Sequence, residues 1–397
     1  ATAANIGYFW WSNDIGGHML GGSDDTMAAR WFQLGCFSPI NRLHSSNSAF
    51  TSKEPWRYSR DARATMEAHL RLRHRLVPYL YTWARRSAGE GIAPVRPVYH
   101  DHPRELAAYE HRGSFCFGDL LVVPFTSPLD VATGLGRELT WLPDGVWYDL
   151  PTGRRYEATT GGRGRMLSLS RPLDRIGVLA RAGSVIPLAG NLTEAAGDNP
   201  RELEIVVVPG GSGSFTLEED DGSAQPGQDQ IARTHMALTW PDAEEEDGAD
   251  VVLRIRMEGA AEVVPASRLV TVRLLAGQVA GAWLGVGERA RRLATEEVSG
   301  DGFTLGAGTL VHLEELSRQE LIDGVQLVLR GTKHSPADWR DEVHALLDAA
   351  RVEYMAKDLA WDAVQRGLSG TALLGELEAL GLPETLRAAV AEVLPHS

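Results

Sequence analysis

A carboxylate, a guanidinium and an imidazole stand just past two short apolar runs in the first 44 residues of this chain. The run Ile6 to Trp11 leads into Asp14, Gly16, Gly17 and His18, and the run Cys36 to Ile40 leads into Arg42 and His44. Gly16 and Gly17 let the backbone turn tightly and approach a ligand closely. Arg42 and His44 alternate with Leu43, so a strand-like backbone turns both to one face. Such a set donates to and accepts from hydroxyls, while Trp10, Trp11 and Trp56 offer flat apolar faces. Together they suit a small polyhydroxylated ligand.

The elements that must carry these groups follow a rhythm of strand, polar tip, helix, strand, polar tip. Ile6 to Trp11 reads as the first strand, Asp24 to Leu34 as the helix and Cys36 to Ile40 as the second strand. That order is typical of a βα barrel, where chemistry gathers at the strand-to-loop ends. A long helix is expected over Ser59 to Ser87, kinked at Pro78. Beyond it, short β runs separated by Gly, Pro and Asp turns (Leu120 to Phe125, Glu138 to Leu142, Met166 to Leu169, Ile176 to Ala180) suggest an antiparallel sandwich. Ala189 to Pro200 reads as a linker. A second β region contains Leu203 to Val208, Val251 to Met257 and Val270 to Leu275. Ser335 to Ser397 is helical by period, with breaks at Gly367, Gly381 and Pro383.

The expected fold is therefore α/β plus all-β. The last strands and helices of a (β/α)8 barrel occupy 1–97, antiparallel β-sandwich domains 98–195 and 196–332, and a helical tail 333–397. The chain has no initiator Met and enters almost at once into a strand, so Ala1 is expected to be an interior position of a longer protein.

At 397 residues, 43% hydrophobic and 23% charged, the composition is that of a globular protein. A net charge of −14 argues against nucleic acid or an anionic membrane as partner, and much of the excess acid sits at Asp242 to Asp250. No apolar run approaches the roughly 18 residues of a membrane span. The two cysteines, Cys36 and Cys116, read as buried thiols, consistent with a reducing cytoplasm.

The segments WWSNDIGGHMLGG, RWFQLGCFSPINRLHSS, KEPW, LRLRHRLVPYLYT, FGDLLVVPF, LPDGVWYDLPTG, RAGSVIPL and LEEDDG are uncommon and occur in a fixed order. In them the chain resembles glycoside hydrolase family 31, the retaining α-glucosidases and α-xylosidases, over roughly residues 5 to 222 and thinly to about 330. The resemblance implies that Asp14, Arg42 and His44 line the subsite for the non-reducing sugar, helped by Trp11 and by His18. His18 stands where many members carry an aromatic, and Leu43 where Asn is frequent. It also implies chemistry without a metal or organic cofactor, on an oligosaccharide or α-glycoside with terminal glucose or xylose.

Retaining hydrolysis needs two carboxyl groups about 5 Å apart. The family supplies both from strands earlier than the one ending at Asp14, so this chain is expected to hold no catalytic residue. The residues agree, since Asp24 and Asp25 read as first-turn helix residues and Glu54 precedes Pro55 on a loop. The chain is thus expected to be inactive alone, with the missing N-terminal half as a partner. A second reading makes it a non-catalytic carbohydrate-binding or regulatory remnant, or a subunit of a split enzyme.

Other motifs read as structural. His100-Asp101-His102 is a loop-edge coincidence rather than a metal pair, and Gly210 to Gly213 is a hairpin turn rather than a phosphate loop. Arg71, Arg73, Arg75, Arg85 and Arg86 form a solvated helix face or meet acidic neighbours. Asn191-Leu192-Thr193 is a chance glycosylation match, and Glu218 to Asp221 a structural acidic turn.

Overall fold

The computed structural model describes residues 1–17, 21–159, 161–223, 226–241, 250–285, 287 and 290–395. His18 and most of the acidic run beginning at Asp242 lie outside the described residues.

Helix α1 spans Asp25–Cys36, and the Asp24 side chain caps it by accepting from the Met27 N–H at 2.9 Å. The long helix expected from Ser59 is two helices, α2 (Arg60–Arg75) and α3 (Val77–Glu90). Pro78 sits in the first turn of α3, where its missing N–H costs nothing, so the chain breaks rather than kinks. Gly91 in the left-handed region ends α3.

The strand expected over Ile6 to Trp11 does not form. Thr2–Ile6 closes a 3-10 turn that Gly7 ends at φ 74°, and the following residues reach their neighbour only through isolated parallel bridges, Ser12 to Ile40 and Ile15 to Leu43. A parallel strand is stabilised by ladders on its edges. With one neighbour here, two residues pair and the rest stay irregular.

The β region opens with β1 (Val95–Pro97), β2 (Phe115–Phe117), β3 (Leu120–Val123), β4 (Gly136–Leu142), β5 (Val146–Asp149), β6 (Arg155–Glu157), β7 (Arg165–Arg171) and β8 (Gly177–Arg181). These form an antiparallel sheet in the order β1-β2-β3-β8-β5-β6 and a separate β4–β7 ribbon. Leu121, Val123, Trp141, Leu167 and Leu179 fill the space between sheet and ribbon. A short helix, α4 (Leu106–Glu110), precedes β2.

Next come β9 (Val185–Ala189), β10 (Glu202–Val207), β11 (Gly213–Glu219), β12 (Ala232–Thr239), β13 (Val251–Gly259) and β14 (Ser267–Leu275). They are followed by β15 (Gly277–Gln278), β16 (Gly281–Leu284), β17 (Arg291–Arg292), β18 (Ala294–Val298) and β19 (Gly308–Ser317). Helix α5 (Arg318–Asp323), β20 (Val325–Arg330) and β21 (Lys333–His334) complete this part, with β15 paired to β21. Two sheets result, β18-β19-β14-β10-β9 and β11-β12-β13-β20-β16-β17. The expectation of purely antiparallel sheets fails at one place: β10 and β14 pair in parallel, because β11 to β13 cross to the other sheet between them.

One contiguous apolar core runs through these layers. Leu120 and Val178 of the first sheet, Ile205 and Val272 of the second and Leu253 of the third share it with Phe37, Leu76, Tyr79 and Trp83 from the first 90 residues. The N-terminal helices are also bolted down through polar groups. Arg30 is buried and donates to the carbonyls of Arg171, Pro172 and Arg175, and Gln33 donates to that of Leu173. Arg73 donates to the carbonyls of Cys36, Ser38 and Pro39, satisfying acceptors at the end of α1.

The tail forms α6 (Trp339–Ala349), α7 (Tyr354–Gln365), α8 (Gly370–Ala379) and α9 (Glu384–Val393) around its own core of Val343, Leu347, Val364, Leu373, Leu386 and Val390. Gly367 and Gly381 adopt positive φ at the breaks. No described helix is long and apolar enough to cross a membrane.

Candidate functional site

The two parallel bridges set the register of the site. The Ile15 N–H donates to the Arg42 carbonyl at 3.0 Å, and the His44 N–H donates to the Ile15 carbonyl at 3.0 Å. Asp14 is thereby fixed beside Arg42. The side chains of Arg42 and Asp14 form an ion pair, and Arg42 Nη2 lies 3.3 Å from His44 Nδ1. Between them, Ile15 is 1% exposed and packs with Ala29, Phe32, Ala62 and Met66. The alternation expected from sequence thus puts the polar trio on one side and the apolar anchor on the other.

Two glycine features permit this. A Cβ on Gly35 would lie 2.2 Å from Ile15 Cδ1, so only glycine lets α1 approach the Ile15 segment so closely. Past Asp14 the chain folds back sharply, with the Gly17 N–H donating to the Asp14 carbonyl at 2.9 Å. Asp14 itself sits at φ 47°, a left-handed conformation uncommon for a non-glycine residue. Asp is among the residues that tolerate it, and strained backbone of this kind concentrates at functional sites.

The Asp14 and Arg42 side chains are 43% and 53% exposed. The trio is therefore a surface cluster open to a ligand. Trp10 and Trp56 also show their rings to solvent, at 43% and 66% exposure. Trp11 is half-buried against the main core, with its Nε1 buried and without a hydrogen-bond partner among the described residues. Asn13 donates to Ser38 Oγ at 3.1 Å while its Oδ1, like Asn41 Nδ2, is buried without a partner among the described residues.

Sequence reasoning missed Lys53. Its aliphatic stem covers Gly16, where a Cβ would come within 2.8 Å of Lys53 Cδ, so the KEPW segment folds over the Asp14 turn. The signal was the KEPW motif itself, whose contact partner no local pattern reveals.

The other acidic residues nearby have structural partners. Asp24 caps α1, Asp25 accepts from the Ser59 N–H at 2.8 Å, and Glu54 accepts from the Ser52 hydroxyl. That hydroxyl is the main reason the Glu54 carboxyl lies below its ordinary range. The remaining motifs also find partners. Nε2 of His100 meets Asn5 Oδ1 at 2.8 Å, whereas His102 packs edge-on against Trp141. Among the described residues, no group of three His, Cys, Asp or Glu side chains could hold a metal ion. Arg75 pairs with Glu204, and Arg85 with Glu218 and Asp220. Glu219 forms a buried bidentate pair with Arg268. Asn191 accepts from both the N–H and the hydroxyl of Thr193.

Residues 1–83 match the glycosyl hydrolases family 31 TIM-barrel domain, and residues 91–186 match the glycosyl hydrolase family 31 C-terminal domain. Among curated relatives, an alpha-xylosidase of Saccharolobus solfataricus is 31% identical over 217 residues, 54% of this chain and 28% of that protein. The lysosomal alpha-glucosidase of Mus musculus is 27% identical over 258 residues, 61% of this chain and 26% of its own length. Among solved structures, a GH31 dextranase mutant of Flavobacterium johnsoniae complexed with isomaltotriose aligns with a TM-score of 0.65 at 19% identity. That alignment covers 83% of this chain and 40% of the dextranase. The GH31 alpha-xylosidase of Xanthomonas citri aligns with a TM-score of 0.52 at 27% identity, over 63% of this chain and 26% of that one. This chain therefore spans roughly a quarter of the curated relatives it matches. By these matches, residues 1–83 and 91–186 correspond to two consecutive domains of glycosyl hydrolase family 31.

Proposed function

We propose that this chain is the C-terminal portion of a retaining α-glycosidase that releases terminal non-reducing glucose or xylose from oligosaccharides. The observation that carries this reading is the convergence of Asp14, Arg42 and His44 on one exposed face behind the buried Ile15. Their acceptor, donors and imidazole fix the sugar through its hydroxyls, with Trp11, His18 and Lys53 as further lining. In this reading residues 1–97 are the last strands and helices of a (β/α)8 barrel and the sheets that follow are two sandwich domains. The nucleophile and the acid/base come from barrel strands that the 397 residues do not include. The chain works in a reducing cytoplasm, where its two free cysteines stay thiols.

Support for a complementary barrel segment as partner comes from the surface around the site. Ile6, Tyr8, Trp10, Phe50 and Trp56 are exposed apolar side chains within one stretch of 60 residues. The isolated parallel bridges there leave backbone groups open for further strands.

Two measurements test the reading. The purified chain alone does not hydrolyse aryl α-glucosides, and turnover that survives repurification and disappears on Asp14→Asn overturns the proposal. In the enzyme completed by its remaining barrel strands, His44→Ala lowers kcat/KM by about 30- to 1,000-fold, or about 2–4 kcal/mol, with the fold intact. Hydrogen bonds to ring hydroxyls strengthen as the oxocarbenium-like transition state forms, which is why the loss falls on the transition state.

A further inference from the structure

A cavity of about 400 Å³ opens where α3, the first six-stranded sheet and the turn before β11 meet. Small-molecule sites commonly run from about 300 to 1,000 Å³. Its walls carry Arg181, Asp119, His102, Ser184, Ser214 and Trp147, and it shares no residue with the Asp14 cluster.

The walls are held in shape. Asp119 follows Gly118 at the turn between β2 and β3, and its N–H donates to Tyr79 Oη at 2.7 Å. A Cβ on Gly118 would lie 2.3 Å from Tyr79 Oη and from Trp83 Nε1, so this approach requires glycine. A Cβ on Gly145 would come within 3.1 Å of Arg181 Nε, so glycine again makes room for the guanidinium. Trp147 Nε1 donates to the Pro143 carbonyl at 2.9 Å, which fixes the indole. The His102 ring is wedged edge-on against Trp141 at 5.4 Å between centroids.

The chemistry on display is mixed and balanced. Arg96 and Asp101 neutralise each other through two hydrogen bonds of 2.8 and 2.6 Å. Among the described residues, the exposed Arg181 guanidinium and Asp119 carboxylate make no side-chain hydrogen bond within the chain, so both can turn to a ligand at the cavity mouth. Burial lowers the His102 pKa, leaving a neutral ring with one donor and one acceptor. An anion entering here would meet Asp119, and a cation would meet Arg181. A neutral ligand with many hydroxyls satisfies both.

We propose that this cavity is a second saccharide-binding site, taking a mono- or disaccharide through Arg181, Asp119 and the neighbouring hydroxyls, independent of the Asp14 site. It holds carbohydrate near the enzyme without cleaving it.

The test uses the full 397-residue chain and calorimetric titration with maltose and with glucose. Binding is expected to weaken at least about tenfold in Arg181→Ala and in Asp119→Asn, about 1.4 kcal/mol each. It is expected to persist in His44→Ala, and sugar is expected to shift the Trp147 indole N–H resonance. Neither substituted side chain makes a hydrogen bond that folding needs, and thermal melting of each variant confirms an intact fold. Absence of binding by either sugar overturns the proposal, as does binding that His44→Ala abolishes and Arg181→Ala leaves unchanged. The second result leaves the Asp14 reading standing. Failure of that reading is seen separately, in the turnover measurements.

Discussion

Two clusters of arginine and carboxylate in this chain are opposites. Near the N-terminus, Arg42 meets Asp14 with side chains 53% and 43% exposed. Where the C-terminal helices pack on β7, Arg171 meets Glu392 at 2.6 Å, with both side chains 2% exposed. Glu392 has used its accepting capacity: it also takes hydrogen bonds from Tyr156 Oη at 2.6 Å, from Arg154 at 3.2 Å and from the Ser170 N–H at 2.7 Å. Arg171 engages Asp149 and Glu392 through its two Nη atoms, while its Nε is buried without a partner among the described residues. A network so deeply buried offers a ligand no access, and it locks α9 against β7 and β6. The Asp14 pair keeps open valences and water access. Burial, rather than charge, separates the structural cluster from the candidate site.

The largest effect should come from breaking the buried side. Removing one partner from a buried, hydrogen-bonded ion network leaves the others charged and unpaired, at a cost of about 3–5 kcal/mol. Glu392→Ala is therefore expected to lose about that much in urea unfolding and to expose the α6–α9 unit to limited proteolysis. A loss under about 1 kcal/mol would show that the tail is held by its apolar contacts alone. The network also sets a pH limit. Burial pushes the Glu392 carboxyl up, but Arg171 and Arg154 outweigh it and hold the carboxyl below its ordinary range. Its contribution is present above the unfolded carboxylate pKa and is lost as pH falls through the lower folded value.

His69 tests the same rule from inside the core. Its Nδ1 lies 2.8 Å from the Thr65 carbonyl, while its Nε2 is buried without a partner among the described residues. Burial dominates, with help from the backbone and from Asp301 too small to offset it, and the pKa falls to about 4. The folded state thus binds fewer protons than the unfolded state between about pH 4 and 6.5. Stability is lost as pH drops through that window, by about 3 kcal/mol in all and about 2 kcal/mol between pH 7 and 5. Urea midpoints at those two pH values check it. His69→Gln keeps a donor to Thr65 without the titration and should flatten the slope; an unchanged slope assigns the effect elsewhere.

How much of this was legible in the sequence depends on the range of the forces involved. Asp24 at the start of α1, Pro78 at the helix break and Gly367 and Gly381 in the tail are local signals, and the structure places boundaries where they stand. The runs read as strands at Leu120, Glu138, Val251 and Val270 are strands, with ends differing by a few residues. Ile6 to Trp11 has the composition of a strand, but a ladder needs neighbours on its edges, and composition does not report them. The trio Asp14, Arg42 and His44 was legible because alternation and turn glycines are local rules. Glu392 was not, since its partners lie more than 220 residues away and its own helix reads as an ordinary amphipathic one. Lys53 over Gly16 was hidden for the same reason.

The smallest effect on stability should come from the open side of the comparison. Arg42→Ala removes an exposed ion pair, and such pairs contribute about 0–1 kcal/mol because water and salt screen them. Its backbone carbonyl still accepts from the Ile15 N–H, so the bridge that sets the register survives the substitution. Urea unfolding of the Arg42→Ala chain is therefore expected to fall within about 1 kcal/mol of the parent, and the difference should shrink as salt is added. The same substitution in the completed enzyme should lower kcat/KM about as much as His44→Ala, about 2–4 kcal/mol, because the planar guanidinium is replaced by nothing that can donate. A side chain whose removal costs the fold little and the transition state much belongs to the ligand. If Arg42→Ala instead unfolds the chain as Glu392→Ala does, the Asp14 pair is holding strained backbone at φ 47° in place, and the distinction between the two clusters fails.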